Sequence, residues 1–275
     1  SGYLTRRLVD VAQDLVITNA RIIVGNGDVI ENGSIVIRDG RIASVAAGGA
    51  NAAGAQTIDA GGMTAMPGFI DGHRHVGTGD NEAEQMQQLL DAGYTTVLAG
   101  GGAAASSLTL REHIETGVIN GPRIIPSGSV RLSGTEAEVR AAVRALAAQG
   151  VKYTGEIGLT PKPGPTDLEL ANLRAAVDEG QKVGVWIQVH AVSPQAMVAA
   201  VEAGVKKLVH TPHFGWQEFE ASTIMANAGV KQLSTIGFGV PVFGVFADDN
   251  LPRFRDGQAW PDSIIQGDGR GQEAG

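Results

Sequence analysis

Two histidines separated by one residue have the type and spacing best suited to chemistry in this sequence. His73 and His75 end an apolar segment, residues 67–75 (PGFIDGHRH). In an extended strand, residues i and i+2 point to the same side, so both imidazoles can face one site. Two imidazoles at that spacing can share a divalent cation, and zinc favours nitrogen ligands. Taken alone, the pattern is more often a pair of ordinary surface histidines, so its meaning depends on the rest of the chain.

Two further histidines end later apolar runs. His190 closes residues 185–190 (VWIQVH), and His210 closes residues 207–210 (KLVH). In a barrel of parallel strands the carboxyl ends of the strands converge on one site, so histidines that are distant in sequence become neighbours. Four of the six histidines thus fall at predicted strand ends, and we expect all four to bind metal.

A carboxylate, Glu156, lies late in the predicted fourth strand, in residues 155–159 (GEIGL). A buried acid beside four imidazoles is best explained if it bridges two cations, because an unpaired buried charge is costly. A surface glutamate in a turn is the alternative. Lys152 is the rival bridging residue, since a lysine on this strand could be carboxylated. Because Lys152 comes early in the strand and Glu156 late, Glu156 is favoured.

Several other residues near strand ends have less specific signals. Asp71 could orient an imidazole or could only satisfy backbone donors. His213 is explained equally well by substrate contact or by an exposed loop, and Phe214 and Trp216 are candidates to line a substrate pocket. Packing is the expected role of Trp186.

A glycine-rich segment, residues 100–107 (GGGAAASS), follows the predicted second strand. It matches no phosphate-binding motif. A substrate loop is one interpretation, and a flexible connection is the favoured one.

The elements that must position these residues fall into two regions. Residues 1–66 contain short strands with a hairpin signal at Asp39-Gly40, which predicts a small β-sandwich module. From residue 67 to 275, strands alternate with helices, and a (β/α)8 TIM-type barrel is the predicted arrangement. A flavodoxin-like open sheet is the alternative. That fold would require a glycine-rich phosphate-binding loop directly after the first strand, whereas the first strand here ends in histidines.

The predicted helices have readable ends. Capping boxes begin at Thr135 and Thr166, and Ser193-Pro194 combines a cap with a first-turn proline. Gly180 is the predicted end of the helix that starts after Thr166.

Seven strand candidates follow residue 67, and residues 256–275 are polar and rich in glycine. A barrel of seven strands would leave two strand edges with unpaired backbone hydrogen-bonding groups, which is unfavourable. We therefore expect a C-terminal segment or a second polypeptide to complete the barrel.

Composition limits the classes of partner. The 275 residues carry a net charge of −8, the 21 basic residues are scattered, and cysteine is absent. These features argue against nucleic-acid binding, disulfides and thiol nucleophiles. The longest apolar stretches are far shorter than a membrane span. We expect a cytoplasmic homo-oligomer that acts on a small molecule and interacts with neither nucleic acid nor membrane.

The chain resembles the amidohydrolase superfamily across nearly its whole length. The segments that carry the resemblance are LVITNARII (15–23), DGRIASV (39–45), MPGFIDGHRH (66–75) and AGYTTV (92–97). The GEIGL segment followed by QVH (188–190) is similar to enamidase-type members, in which a glutamate rather than a carboxylated lysine bridges the metals. The chain also resembles imidazolonepropionase-like members of the superfamily.

The resemblance implies a β-sandwich beside a (β/α)8 barrel with one or two metal ions; we expect a binuclear centre of two zinc ions, with iron or manganese as alternatives. His73 and His75 would hold the more buried metal, His190 and His210 the second, and Glu156 would span them. Glu156 and His210 are accordingly the expected catalytic residues.

The family also uses an aspartate at the end of the eighth strand, which binds metal and moves a proton. Asp248 and Asp249 come too early to match it. We expect either a further segment or second chain to supply this residue, or the chain to be inactive alone.

The predicted reaction is hydrolysis of a C–N bond in an amide, lactam or related compound. Metal coordination would lower the pKa of a water towards 7, hydroxide would attack the carbonyl, and a carboxylate would pass the proton to the leaving nitrogen. A metal-dependent lyase or isomerase and a non-catalytic metal-binding scaffold are the alternatives.

Overall fold

The computed structural model describes residues 14–212 and 219–235, which divide into two compact units. Among these residues, unit 1 comprises 14–71, 79–97 and 112–123, and unit 2 comprises 72–78, 98–111, 124–212 and 219–235. The predicted domain boundary after residue 66 stays a prediction. The predicted substrate contacts and the two late aspartates lie outside the described residues: His213, Phe214, Trp216, Asp248 and Asp249.

Unit 1 contains a five-stranded sheet in the order β3-β2-β1-β4, with β5 also beside β1. Its strands are β1 (Leu15–Ile23), β2 (Val29–Arg38), β3 (Arg41–Ala47), β4 (Gln56–Asp59) and β5 (Thr64–Ala65). The first three strands pair antiparallel, whereas β4 and β5 run parallel to β1. Asp39 and Gly40 both have positive φ, 48° and 69°, as the hairpin signal predicts. Because the described part of this region forms one sheet, the sandwich stays a prediction.

A three-stranded sheet follows in the order β6-β7-β8. Its strands are β6 (Phe69–Arg74), β7 (Tyr94–Ala99) and β8 (Arg123–Ile125). Helix α1 (Glu82–Asp91) connects the first two strands, and α2 (Ala104–Glu115) connects the last two. Each strand contributes residues to both units.

The sheet of unit 2 has five parallel strands in the order β13-β12-β11-β10-β9. These are β9 (Ser127–Gly128), β10 (Tyr153–Gly158), β11 (Trp186–His190), β12 (Lys207–Val209) and β13 (Lys231–Leu233). Between them lie α3 (Glu136–Ala148), α4 (Asp167–Val183), α5 (Pro194–Glu202) and α6 (Phe219–Asn227). This alternation confirms an α/β fold with parallel strands. Within residues 14–212 and 219–235 the strand pairings do not close into a ring.

The helices of unit 2 start where the sequence predicts. At Thr135 the hydroxyl accepts a hydrogen bond from the Glu138 backbone (3.3 Å), and the Glu138 carboxylate accepts one from the Thr135 backbone (2.7 Å). Thr166 heads a second capping box of the same kind. The Ser193 hydroxyl caps α5, whose first residue is a proline. None of the helices in the described parts of the chain has the length and apolar character needed to cross a membrane.

The predicted end of α4 at Gly180 is wrong. The helix continues to Val183 and ends at Gly184, which has the left-handed conformation typical of a glycine C-cap (φ 73°). Gly180 instead marks a close approach between helix and strand. A Cβ at this position would lie 2.4 Å from the backbone oxygen of Val185 and 3.1 Å from Cδ1 of Ile187.

The core of unit 2 lies between its sheet and its helices. Val143, Leu173, Met197 and Leu208 are fully buried and belong to one apolar cluster. They come from α3, α4, α5 and β12, so one core fixes the strands against their helices.

Replacing Gly180 with alanine tests this packing. Overpacking destabilises by about 1–3 kcal/mol, and the better helix propensity of alanine offsets up to about 1 kcal/mol of this. We therefore expect the free energy of unfolding to fall by about 1–2 kcal/mol. Urea unfolding measures it. Gly158→Ala is the matched control, because its Cβ would meet no atom within 4 Å. Equal stability of the two variants would contradict the close packing.

Candidate metal centre

The structure places the five predicted metal ligands within unit 2. His73 is the fifth of the six residues of β6, and His75 comes directly after that strand. Glu156 lies in β10, His190 ends β11, and His210 follows β12. Side chains from four parts of the chain therefore meet at the carboxyl ends of strands.

All four imidazoles point a ring nitrogen at the Glu156 carboxylate. Nε2 of His75 lies 2.8 Å from Oε1. Around Oε2 lie Nδ1 of His190 at 2.8 Å, Nε2 of His210 at 2.7 Å and Nε2 of His73 at 3.5 Å. Neighbouring rings lie edge to face, with centroids 4.4 to 5.3 Å apart. The carboxylate is thus the common contact of the cluster.

Two sets of three ligand atoms could each hold a cation. One set is His73, His75 and Glu156; the other is Glu156, His190 and His210, and within each set the atoms lie within 4.8 Å of one another. Imidazole nitrogens with a carboxylate oxygen suit zinc, iron and manganese. Both sets include the Glu156 carboxylate, and their donor atoms fit divalent cations.

The charge of Glu156 is stabilised by its neighbours. Burial alone would raise the pKa of this carboxyl, but hydrogen bonds from His190 and His210, with electrostatic interactions with His190 and His73, outweigh burial and hold the pKa well below its usual range. The carboxylate is therefore ionised at neutral pH and able to compensate bound cations.

His73 is kept neutral. Its side chain is only 5% exposed. Burial lowers its pKa from 6.5 to about 4, with Glu156 opposing the shift and His210, His75 and Lys207 adding to it. A neutral imidazole has a lone pair available for a metal.

Glu156, and not its rival, lies among the imidazoles. Lys152 is exposed and precedes β10, and its backbone carbonyl accepts a hydrogen bond from the backbone of Trp186 (2.8 Å). Asp71 is half-buried on β6, and its orienting role stays a prediction. The packing role expected for Trp186 is wrong: the residue is 56% exposed and begins β11, at the end opposite His190.

The short strand β13 holds His210 in place, a contribution that the sequence did not reveal. The His210 backbone N–H donates to the carbonyl of Leu233 (2.9 Å), and the His210 carbonyl accepts from the side-chain amide of Gln232 (3.0 Å). Nδ1 of His210 is hydrogen bonded to Oγ1 of Thr235 at 2.6 Å. With Nδ1–H donating to Thr235, Nε2 could offer its lone pair to a metal ion in place of its contact with Glu156.

Lys207 is a second residue that sequence reasoning missed. Its ammonium group donates to the carbonyl of Gly72, next to His73 (3.3 Å), and lies 5.5 Å from the centre of the Tyr153 ring. Burial lowers its pKa to about 8. The sequence did contain a signal, because side chains alternate between the two faces of a strand. Lys207 lies on the same face as Val209, so a charged residue shares that face with an apolar one.

A comparison with known families decides the classification. Residues 64–232, more than half of the chain, match the sequence model of the amidohydrolase family. This chain belongs to the amidohydrolase family. The predicted resemblance is therefore confirmed.

Two curated relatives and one solved structure of similar proteins can be compared with this amidohydrolase. An N-acyl-D-aspartate deacylase from Alcaligenes xylosoxydans xylosoxydans is 31% identical over 179 residues, 63% of this chain and 35% of the deacylase. An imidazolonepropionase from Geobacillus sp. (strain WCH70) is 38% identical over 93 residues, 30% of this chain and 22% of that enzyme. The matches thus span about a third or less of these relatives.

The crystal structure of a Xaa-Pro dipeptidase with bound methionine in the active site superposes with a TM-score of 0.73. The superposition covers 94% of this chain and 74% of the dipeptidase, and the two sequences are 23% identical. At that identity the likeness shows the fold.

The burial of His73 predicts how the stability of the metal-free protein depends on pH. Its pKa is about 4 in the folded protein, against 6.5 ordinarily, so the unfolded chain binds the proton more tightly. Stability should therefore fall as pH drops from about 6.5 to about 4. The lowered pKa of Glu156 acts in the same direction, at lower pH.

Urea unfolding at several pH values, with a chelator present, measures this dependence. His73→Ala should make the decline between pH 6.5 and 4 shallower, whatever its effect on stability at neutral pH. An unchanged slope would contradict the burial of a neutral His73.

Proposed function

We propose that the protein is a metal-dependent amidohydrolase that cleaves a C–N bond of an amide, lactam or related small molecule. The observation that carries this proposal is the convergence of four imidazoles on one carboxylate at strand ends. Membership of the amidohydrolase family supports it. So do the names of similar proteins, a deacylase, an imidazolonepropionase and a Xaa-Pro dipeptidase.

Under this proposal two divalent cations, zinc, iron or manganese, are held by five residues. His73 and His75 would hold one, His190 and His210 would hold the other, and Glu156 would be shared by both. Bound cations lower the pKa of coordinated water towards 7 and polarise a substrate carbonyl.

The chain's own residues prepare this chemistry. Glu156 supplies a negative charge that offsets the cations, and its low pKa keeps that charge across the neutral range. His73 offers a neutral ring nitrogen. Thr235, the Leu233 carbonyl and the Gln232 side chain fix His210, so that its Nε2 stays directed at the cluster. Glu156 and His210 are therefore the proposed catalytic residues among the described ligands.

The remaining step needs a proton donor for the leaving nitrogen. The proposal assigns it to an aspartate at the end of an eighth strand, supplied by a further segment or a second polypeptide. The cytoplasmic location and the homo-oligomeric state stay predictions.

The test uses the whole protein, freed of metal by chelation and then reloaded with zinc, iron or manganese. Substrates include N-acyl amino acids, Xaa-Pro dipeptides, imidazolones and cyclic amides, assayed in water labelled with oxygen-18. We expect activity to disappear on metal removal, to return on reloading, and to place one labelled oxygen in the product. Metal-dependent turnover without label would identify a lyase or isomerase instead, and full activity without metal would contradict the proposal.

Glu156→Gln tests the bridging carboxylate. The substitution keeps the size of the side chain but removes the charge shared by both sets of ligands. We expect kcat/KM to fall by about 100-fold or more, as for the loss of a major electrostatic contact in an active site, and bound metal to fall below two ions per chain. Glu202→Gln, at an exposed position of α5, is the matched control. Wild-type metal content in Glu156→Gln would rule out bridging by this carboxylate.

A further inference from the structure

The glycine-rich segment after β7 lies directly against the two histidines of the first cation site. A Cβ on Gly100 would lie 2.6 Å from Cε1 and 2.9 Å from Nδ1 of His73. A Cβ on Gly101 would lie 3.0 Å from Cε1 of His75. Neither glycine has a positive φ, so the need for glycine here comes from the rings and not from the backbone conformation.

The backbone of Gly100 also connects the two strands that carry the ligands. Its N–H donates to the carbonyl of Arg74, the residue between the two histidines (2.7 Å), and its carbonyl accepts from the N–H of Glu156 (2.8 Å). One residue therefore links the histidine pair to the bridging carboxylate through two short hydrogen bonds.

Further contacts hold this segment in place. The Gly102 carbonyl accepts hydrogen bonds from the backbone (3.0 Å) and the hydroxyl (2.7 Å) of Ser129. From the other side, a Cβ on Gly155 would lie 3.2 Å from Cα of Gly101 and 3.3 Å from the carbonyl oxygen of Gly100. Backbone packs on backbone, so the segment has little freedom to retreat from an added methyl group. The flexible connection favoured from sequence is wrong.

We propose that Gly100 is a positioning residue that sets the geometry of the cation site formed by His73, His75 and Glu156. The inference rests on the proposed function, because it assumes that this site binds metal. The absence of a side chain lets the His73 ring lie against the segment, while the two backbone hydrogen bonds fix β6 relative to Glu156. The ligands are thereby held in place before a cation arrives.

The two glycines should differ in their sensitivity to substitution. His73 is 5% exposed and cannot move aside when a methyl group is added to Gly100. His75 is 64% exposed and can rotate away from a methyl group on Gly101. Gly100→Ala should therefore weaken cation binding much more than Gly101→Ala.

The experiment is a titration of metal-free protein with zinc, together with the visible absorption spectrum of the cobalt-loaded protein. We expect Gly100→Ala to weaken binding at the His73 site by about 10- to 100-fold, the range for residues that orient metal ligands, and to alter the cobalt spectrum. Gly101→Ala should lose less zinc affinity than Gly100→Ala. Gly158→Ala, whose Cβ would meet open space, should bind zinc as the wild type does.

His73→Ala and the far-UV circular dichroism of each variant complete the design. If His73→Ala loses zinc while folded Gly100→Ala binds zinc with wild-type affinity and spectrum, the positioning role is wrong and the proposed function stands. If His73→Ala itself binds zinc as the wild type does, the proposed metal centre fails. If Gly100→Ala does not fold, the comparison of Gly101→Ala with Gly158→Ala decides. Weaker zinc binding in Gly101→Ala alone supports the role of the segment, and wild-type zinc affinity in Gly101→Ala overturns it.

Discussion

The structure of unit 2 is organised around one electrostatic constraint, the gathering of four imidazoles about the Glu156 carboxylate. Removing a carboxylate from water costs free energy unless donors or cations replace its hydration. Here the replacement comes from three other strands and from residues up to 83 positions before and 54 after the glutamate (73 to 156, and 156 to 210). The fold therefore has to hold strand ends at fixed separations, and the shared core of sheet and helices does so.

The cluster of histidines around Glu156 was predictable from sequence because it depends on two simple periodicities. The i, i+2 spacing puts His73 and His75 on one side of a strand, and parallel strands bring the ends marked by His190 and His210 together. The late position of Glu156 in its strand favoured it over an earlier lysine. Helix starts were equally predictable, since a capping box depends on residues three positions apart.

Contacts that depend on tertiary packing were not predictable in this way. Gly180 and Gly100 both looked like breaks in local structure, yet both are sites where another part of the chain leaves no room for a Cβ. Thr235 and Lys207 belong to no motif, and their contacts near the candidate metal centre follow from the register of β12 and β13. A single sequence states local conformational preferences directly, but it does not state which surfaces will touch.

The most direct test of the account is to locate the metals in the protein by anomalous X-ray diffraction at the zinc absorption edge. We expect two peaks on either side of the Glu156 carboxylate, one about 2.0–2.1 Å from ring nitrogens of His73 and His75 and the other at the same distance from ring nitrogens of His190 and His210. Zinc bound elsewhere, or a crystal of zinc-loaded protein without density between these side chains, would contradict it.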